Sequence, residues 1–235
     1  MAVTLDTDLA ARLAEVRARM AAAAVRVGRP ASGVRLVAVS KTYPVECIRA
    51  AAAAGQQDFG ENRVQEALQK IAAVPDLAIR WHLVGHLQSN KARKAAAPFA
   101  CIHSIDRADL LEAVDRAADE AGASPAVLIQ VDLAGEATKH GAEQDQVRSI
   151  VEVGMRCRAA RLEGLMLLPP VAEDPEQTRP FFRRLRELRE ELLGEGVPAG
   201  MLGELSMGMS HDFEVAIEEG ATLVRVGTAI FGARS

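Results

Sequence analysis

This chain of 235 residues has few aromatic residues, no large excess of either positive or negative side chains, and no long apolar run. Aromatic side chains make up 3% of it, with one Trp and one Tyr, which disfavours a nucleic-acid surface built on base stacking. The net charge of −4 gives no general attraction to nucleic acid or to an anionic membrane. No apolar run reaches the length of a membrane span, and the amino terminus lacks the apolar segment of a signal peptide. We therefore expect neither nucleic acid nor a membrane as a partner.

Cysteine is also rare, and the three cysteines, Cys47, Cys101 and Cys157, occur singly in apolar contexts. An odd number without paired spacing is typical of reduced structural thiols, and it disfavours a disulfide framework or a zinc site. We therefore expect a cytoplasmic protein with no bound metal. Hydrophobic residues make up 49% of the chain, which is enough for a large core.

Short apolar stretches alternate with segments of helical spacing along the chain. The predicted strands cover residues 34–41, 57–60, 79–85, 100–105, 126–132, 162–167, 204–206 and 222–227. Strands separated by helices pair in parallel through right-handed crossovers. Eight such units predict one α/β domain over residues 1–235, a (β/α)8 TIM barrel. An open doubly wound sheet is the alternative, but no Gly-x-Gly-x-x-Gly motif follows an early strand.

Two of the predicted helices have well-defined apolar faces. The first covers residues 6–27, so we expect region 1–30 to contribute a helix that packs on the barrel. Its apolar residues at helical spacing are Leu9, Leu13, Val16 and Met20. The second covers residues 180–193, and its remaining positions carry charges of both signs that predict a solvated, ion-paired face. Its predicted apolar face consists of Phe181, Leu185, Leu188 and Leu192.

The first predicted strand is rich in valine and ends at Lys41. A lysine at the carboxyl end of a buried strand packs its stem in apolar surroundings. This burial lowers the pKa of the ammonium group and makes the free amine available. A Schiff-base lysine needs that environment. The alternative is a solvated, inert lysine at a strand end.

Small and hydroxyl-bearing residues follow the seventh and eighth strands, at the end of a barrel where active sites form. Ser206, Met207 and Ser210 belong to the segment Ser-Met-Gly-Met-Ser, and Gly227 and Thr228 follow the last strand. Hydroxyls and free backbone N–H groups near helix starts bind phosphate in many barrels. Each stretch alone is equally typical of ordinary turn and cap residues.

Arg225 lies inside the apolar eighth strand, where a buried arginine needs either an ion pair or a ligand. The histidines give weaker signals. His86 and His211 stand at loop positions where a role in the site is open. His82 alternates within a strand, so we expect it to be hydrogen-bonded or at the solvent edge.

Five motifs stand in a recognisable order and spacing. They are VSKT at residues 39–42, FGENRVQE at 59–66, WHLVGHLQSNK at 81–91, LSMGMS at 205–210 and VRVGTAIFG at 224–232. Together they resemble the pyridoxal-phosphate homeostasis protein family, whose members are single-domain relatives of the alanine racemase amino-terminal barrel. The resemblance extends over essentially the whole chain from about residue 34.

The resemblance implies a fold-type III pyridoxal-phosphate protein. Lys41 would carry the cofactor as a lysine aldimine, and Ser210, Gly227 and Thr228 would hold its phosphate. Asn62 would lie beside the ring of the cofactor. The full set of expected cofactor-binding residues is Lys41, Asn62, Ser206, Met207, Ser210, Arg225, Gly227 and Thr228. Tyr43, His86 and His211 receive no role.

Arg225 would be the partner of the pyridine nitrogen. Because an arginine stays protonated and only donates, it favours the unprotonated ring, which is a poorer electron sink than a pyridinium. We therefore expect a pyridoxal 5'-phosphate-binding protein that takes part in intracellular homeostasis of the cofactor without catalytic turnover.

The alternative is a pyridoxal-phosphate-dependent amino-acid racemase or a related enzyme, which needs a second base opposite Lys41. The resemblance places that base in an additional carboxy-terminal domain, whereas this chain ends at Ser235, and its only tyrosine is Tyr43. We expect a monomer, with pyridoxal-phosphate-dependent apo-enzymes as protein partners. A nucleic-acid-binding barrel is a third idea that only the basic cluster at residues 91–94 supports, and the acidic pI of about 5.8 opposes it.

Overall fold

The structure is a computed structural model that describes residues 2–135 and 140–232. Eight parallel strands pair in sequence order, and the first also pairs with the last, so the sheet closes into a barrel. The strands are β1 (Arg35–Val39), β2 (Asp58–Glu61), β3 (Arg80–Leu83), β4 (Cys101–Ile105), β5 (Ala126–Val131), β6 (Arg161–Leu167), β7 (Glu204–Ser206) and β8 (Leu223–Val226). The predicted (β/α)8 barrel is confirmed, and the doubly wound alternative is wrong.

Helices surround the barrel. They are α1 (Ala2–Arg26), α2 (Val45–Ala53), α3 (Val64–Ala73), α4 (Ala92–Ala95), α5 (Ala108–Ala121), α6 (Gln144–Gly154), α7 (Arg179–Gly194), α8 (Phe213–Glu218) and α9 (Thr228–Phe231). Single 3-10 turns cover Ala31–Gly33, Ser89–Lys91, Pro175–Thr178 and Ala199–Met201. Over residues 2–135 and 140–232, no helix has both the length and the apolar character needed to cross a membrane.

Side chains on the two faces of each strand enter two different layers, because successive residues of a strand point to opposite sides. The inner layer fills the barrel with small and medium apolar groups. Its members are Val37, Val39, Val84, Cys101, Ala126, Leu128, Met166 and Leu223. Polar residues with the same parity also lie inside and are buried: Asp58, His82, His103, Ser206 and Arg225.

The outer layer lies between the strands and the helices and contains most of the core. Helix α1 packs against α2, α8 and α9 and buries the four predicted residues, Leu9, Leu13, Val16 and Met20. It begins at Ala2, earlier than the predicted start at residue 6. That residues 1–235 form one domain stays a prediction.

Helix α7 differs from the prediction by one residue. Phe182 is fully buried and Phe181 is only half-buried, whereas the sequence pattern favoured Phe181. Leu185, Leu188 and Leu192 are buried as predicted. The opposite face carries ion pairs of mixed sign, such as the one between Arg184 and Glu191. The prediction of a solvated, ion-paired face is therefore confirmed.

Candidate functional site

A cavity of about 440 Å³ opens at the carboxyl ends of the strands. Six of the eight predicted site residues line it: Lys41, Asn62, Ser210, Arg225, Gly227 and Thr228. The rest of its wall is formed by Val39, Tyr43, Val84, Leu168, Pro169, Val171, Met209 and His211. Because β1 and β8 are neighbours, the segments after the first and last strands meet in this cavity. A largely apolar wall with a few convergent polar groups is typical of a site for a small molecule.

Lys41 is half-buried in the turn between β1 and α2. The next residue, Thr42, has a φ of +68° and is the only non-glycine residue with a positive φ in the described ranges. Its backbone N–H donates to Glu66 Oε1 at 2.7 Å. A β-branched residue in this conformation is strained, and the surrounding contacts must hold it there. The turn that presents Lys41 is therefore fixed by its neighbours.

A buried charged cluster supports this turn; we call Ser40, Glu61, Glu66 and Lys70 the Lys70 cluster. Lys70 Nζ donates to the Ser40 carbonyl at 2.7 Å. It also donates to Glu61 Oε1 and Glu66 Oε1, both at 2.8 Å. The Ser40 hydroxyl donates to Glu61 Oε1 at 2.7 Å, while Glu61 Oε2 is buried without a hydrogen-bond partner. Burial raises the pKa of Glu61, although the hydrogen bond from Lys70 opposes this shift.

Asn62 follows the Lys70 cluster along the chain, and close backbone packing holds it. A Cβ atom on Gly85 would lie 2.3 Å from the Asn62 carbonyl oxygen and 2.7 Å from its Cα. Only glycine fits there, because real Cβ atoms do not approach backbone so closely. The loop after β3 therefore fixes the position of Asn62 at the cavity.

Backbone donors converge at the end of the cavity near β8. The N–H groups of Gly227 and Ala229 point to Ser210 Oγ at 3.1 and 3.5 Å. Gly227 also passes close to β1, where a Cβ would lie 3.2 Å from the Val39 carbonyl oxygen. Thr228 begins α9 and is exposed at the cavity. Two converging N–H groups beside a hydroxyl form a donor set that suits an oxyanion.

Arg225 lines the cavity but is almost fully buried in β8. Its Nη1 donates to Ser206 Oγ at 2.6 Å, and its Nη2 donates to the Leu167 carbonyl at 2.7 Å. Both partners are neutral. Burial lowers the pKa of Arg225 to about 10, so the guanidinium stays charged at neutral pH. The side chain is a fixed, donor-only group at the cavity wall.

Behind Arg225, hydrogen bonds continue through the interior of the barrel; we call Arg225, Ser206, His103, His82 and Asp58 the His103 chain. Ser206 Oγ lies 2.8 Å from His103 Nδ1. His103 Nε2 lies 2.9 Å from His82 Nδ1, and His82 Nε2 lies 2.9 Å from Asp58 Oδ1. Of the two positions expected for His82, the structure shows the hydrogen-bonded one, and the residue is buried rather than at the solvent edge.

Two predicted site residues lie outside the cavity. Ser206 is below it, where its hydroxyl contacts Arg225, and Met207 is buried in the outer layer of the core. Tyr43 and His211 also line the cavity, and the sequence analysis gave them no role. The Tyr43 hydroxyl donates to the Gly232 carbonyl at 2.5 Å, and His211 Nε2 lies 2.9 Å from the Glu173 carbonyl.

Among the residues that the structure describes, two groups of side chains bring ligand-type atoms within 4.8 Å of one another. One group is His82, Cys101 and His103, whose imidazoles already belong to the His103 chain and whose thiol has a pKa raised by burial. The other group, outside the cavity, is His86, Asp106 and His140, in which the two imidazole rings stack with centroids 3.7 Å apart. None of these six residues lines the cavity itself.

Comparison with known proteins gives one consistent result. The family described as "Alanine racemase, N-terminal domain" matches residues 12–235. The pyridoxal phosphate homeostasis protein of Aquifex aeolicus is 45% identical over 223 residues, which cover 95% of this chain and 97% of the relative. The protein of the same name from Pseudomonas aeruginosa is 46% identical over 233 residues, covering 97% and 96%.

Solved structures agree with this result. PipY of Synechococcus elongatus, solved with pyridoxal phosphate (PLP) bound, is 43% identical with a TM-score of 0.83, covering 95% of this chain and 100% of that chain. An alanine racemase of Clostridium difficile is 14% identical with a TM-score of 0.74, covering 97% of this chain and 57% of that one, and shares the fold alone. The chain belongs to the alanine racemase N-terminal domain family and, within it, to the pyridoxal phosphate homeostasis proteins.

Proposed function

We propose that this chain binds pyridoxal 5'-phosphate through Lys41 and takes part in intracellular homeostasis of the cofactor, without catalytic turnover. The observation that carries the proposal is the cavity itself, which unites a lysine amine, a donor-only guanidinium and a set of oxyanion donors. The names of the relatives and the cofactor bound to PipY support the same ligand.

The cavity residues match the polar parts of this cofactor, which are an aldehyde, a phosphate and a ring nitrogen. When bound, pyridoxal phosphate supplies an aldehyde that condenses with an amine, and a ring that withdraws electrons. The cavity volume of about 440 Å³ lies within the usual range for small ligands. The residues present therefore fit the cofactor.

Each polar residue has a distinct task in this proposal. Lys41 would provide the amine, and Val39 and Val84 contribute apolar wall to the same cavity. Ser210 and the N–H groups of Gly227 and Ala229 would bind the phosphate oxygens. Asn62 would hold the ring from one side.

Arg225 gives the physical reason for binding without turnover. A guanidinium facing the ring nitrogen would donate a hydrogen bond and offer no proton acceptor, so Arg225 would favour the unprotonated ring, which is a poorer electron sink. An amino-acid racemase is the alternative activity, and it needs a proton donor and acceptor opposite Lys41. The Tyr43 hydroxyl is already used by the Gly232 carbonyl, which does not favour it for that task.

Delivery of the cofactor to pyridoxal-phosphate-dependent apo-enzymes, a monomeric state and a cytoplasmic location belong to the proposal. They rest on the sequence and on the family. Size-exclusion chromatography with light scattering would test the monomeric state. Transfer of the cofactor from the loaded protein to a purified apo-enzyme would test delivery.

A titration with pyridoxal phosphate tests the central proposal. The wild-type chain and Lys91→Ala, a matched lysine variant outside the cavity, should develop the visible absorbance of amine-bound cofactor, and Lys41→Ala should not. Borohydride reduction and peptide mapping should place the label on Lys41. Unchanged absorbance in Lys41→Ala would refute Lys41 as the attachment site, and racemised L- or D-amino acids in a chiral assay would refute binding without turnover.

A further inference from the structure

We propose that Asp58, His82, His103 and Ser206 are positioning residues for the cofactor, because their hydrogen bonds fix the Arg225 guanidinium towards the ring nitrogen. The proposal rests on the function proposed above. It assigns a task to a set of buried polar residues on β2, β3, β4 and β7 that otherwise has none.

The direction of every hydrogen bond in the His103 chain follows from its two ends. Arg225 only donates, so Ser206 Oγ accepts its N–H and can give its own proton to His103 Nδ1. His103 would then carry its proton on Nε2 and donate it to His82 Nδ1. Starting instead from the Asp58 carboxylate, which only accepts, His82 must donate from Nε2. The two ends are therefore consistent with the same tautomer of both imidazoles.

Burial leaves the members of the His103 chain without water as an alternative hydrogen-bond partner. All five members of the chain are at most 5% exposed, so water does not replace a lost partner. Burial, followed by the nearby His82 and Arg225, lowers the pKa of His103 well below its usual value and keeps the imidazole neutral. A protonated His103 would donate from Nδ1 to Ser206 Oγ, and the Ser206 hydroxyl proton would lose its acceptor in the chain. The orientation of Arg225 therefore depends on residues that do not touch the cavity.

The chain crosses the barrel from one end to the other. Asp58 is the first residue of β2 and is held by exposed Arg80 at the amino-terminal end of the strands, with 2.7 Å between Arg80 Nε and Asp58 Oδ1. Arg225 lies near the carboxyl end of β8, beside the cavity. Within the His103 chain, the only carboxylate is therefore the member farthest from the cavity, and the member in contact with Arg225 is a neutral hydroxyl.

Removal of one hydroxyl tests the proposal against a matched control. Ser206→Ala removes the partner of Arg225, whereas Ser104→Ala removes an equally buried hydroxyl that has no hydrogen-bond partner. We expect Ser206→Ala to weaken binding of pyridoxal phosphate at least tenfold, Ser104→Ala to bind within twofold of wild type, and Ser206→Thr to recover most of the loss. Circular dichroism confirms that each variant is folded.

An analogue separates positioning from a general structural role. In 1-deazapyridoxal phosphate a C–H group replaces the ring nitrogen, so Arg225 has no acceptor there. We expect wild type and Ser206→Ala to bind this analogue within threefold of each other. An equal loss of affinity for both ligands would overturn the proposal, since that result would indicate a distorted cavity.

Nitrogen-15 NMR of histidine-labelled protein tests the chain itself, without the cofactor. His103 should be neutral between pH 6 and pH 8 and carry its proton on Nε2, and His82 should accept the hydrogen bond of that proton at Nδ1. A protonated His103 or an Nδ1–H tautomer at either position would overturn the proposal. If wild type fails to bind the cofactor, the proposed function falls and the positioning role falls with it. If wild type binds and Ser206→Ala matches Ser104→Ala, only the positioning role falls.

Discussion

The two sides of the cavity are supported in physically different ways. On the Lys41 side, the Lys70 cluster holds the turn after β1 with one ammonium group and two carboxylates. On the Arg225 side, the His103 chain uses a hydroxyl and two imidazoles, and its carboxylate lies at the far end of the barrel. Both assemblies are largely buried; the His103 chain ends at Arg225, and the Lys70 cluster supports the residues next to Lys41.

The difference follows from where the two assemblies lie. The Lys70 cluster reaches the half-buried Glu66 at the edge of the fold, where charges are partly solvated. The His103 chain lies inside the barrel, where a single fixed set of donors and acceptors satisfies its buried polar groups. Removing the Lys70 ammonium group leaves a buried carboxylate, whereas removing an uncharged member of the His103 chain leaves an unpaired donor or acceptor. We therefore expect a larger loss in the free energy of unfolding from removal of Lys70 than from changes in the His103 chain.

The largest effect is expected for Lys70→Met, which leaves Glu61 buried without its cation. Breaking a buried ion pair in this way lowers the free energy of unfolding by about 3–5 kcal/mol. Urea unfolding followed by circular dichroism measures the loss. Exposed Lys94→Met is the control and should change stability by less than about 0.5 kcal/mol. A loss below about 1 kcal/mol for Lys70→Met would show that the cluster is not a buried charge pair in energetic terms.

Gly85→Ala should have the next largest effect, because the new Cβ would overlap the backbone of Asn62. We expect a loss of about 2–3 kcal/mol in the free energy of unfolding, together with weaker binding of pyridoxal phosphate. Gly200→Ala is the matched control, since a Cβ there meets no atom within 4 Å. Wild-type stability and affinity in Gly85→Ala would contradict the close packing of the two loops.

Asp58→Asn should lower the stability at pH 7 by about 2 kcal/mol, since hydrogen bonds to a charged group are lost. Burial opposes ionisation of Asp58, but the hydrogen bonds from His82 and Arg80 outweigh it and hold the carboxyl pKa well below its usual value. A depressed pKa stabilises the fold fully above the unfolded value of about 4, and this contribution is lost as the pH falls below it. The difference in free energy of unfolding between wild type and Asp58→Asn should therefore shrink progressively as the pH falls below about 4. A gap that stays constant down to pH 2.5 would contradict this.

The smallest effect is a gain. Thr42→Asn should raise the free energy of unfolding by about 1 kcal/mol, because asparagine tolerates the left-handed conformation that threonine adopts here at φ +68°. Thr42→Ala is the control that retains the unfavourable conformation. Thermal unfolding detects the change as a higher midpoint. A lower midpoint for Thr42→Asn would indicate that the threonine side chain itself supports the turn.

The barrel and most of its cavity were predictable from the sequence, because local patterns determine both. Valine-rich stretches separated by helices define the strands, and strand ends such as Lys41 and Gly227 meet at one end of any barrel. Which residues of a strand face the barrel interior is harder to predict. Ser206 points into the barrel and its neighbour Met207 points out, so only one of the two could lie near the cavity.

Contacts between residues on different strands could not be predicted, because they depend on the register of the sheet. Asp58, His82 and His103 are far apart in sequence, and only the register between β2, β3 and β4 brings them into contact. Three polar residues on the inward parity of consecutive strands were the available signal. In α7, two adjacent phenylalanines fit the helical period almost equally well, and packing selected Phe182.

The pairing of β1 with β8 has a consequence for how the protein is made. Strands that close a barrel come from opposite ends of the chain, so their contacts are among the last that a growing polypeptide can form. Gly227 and the N–H groups that follow it leave the ribosome after all eight strands of the barrel. Capture of the cofactor would therefore report that the barrel has closed, and a nascent chain lacking β8 would have the lysine without a site around it.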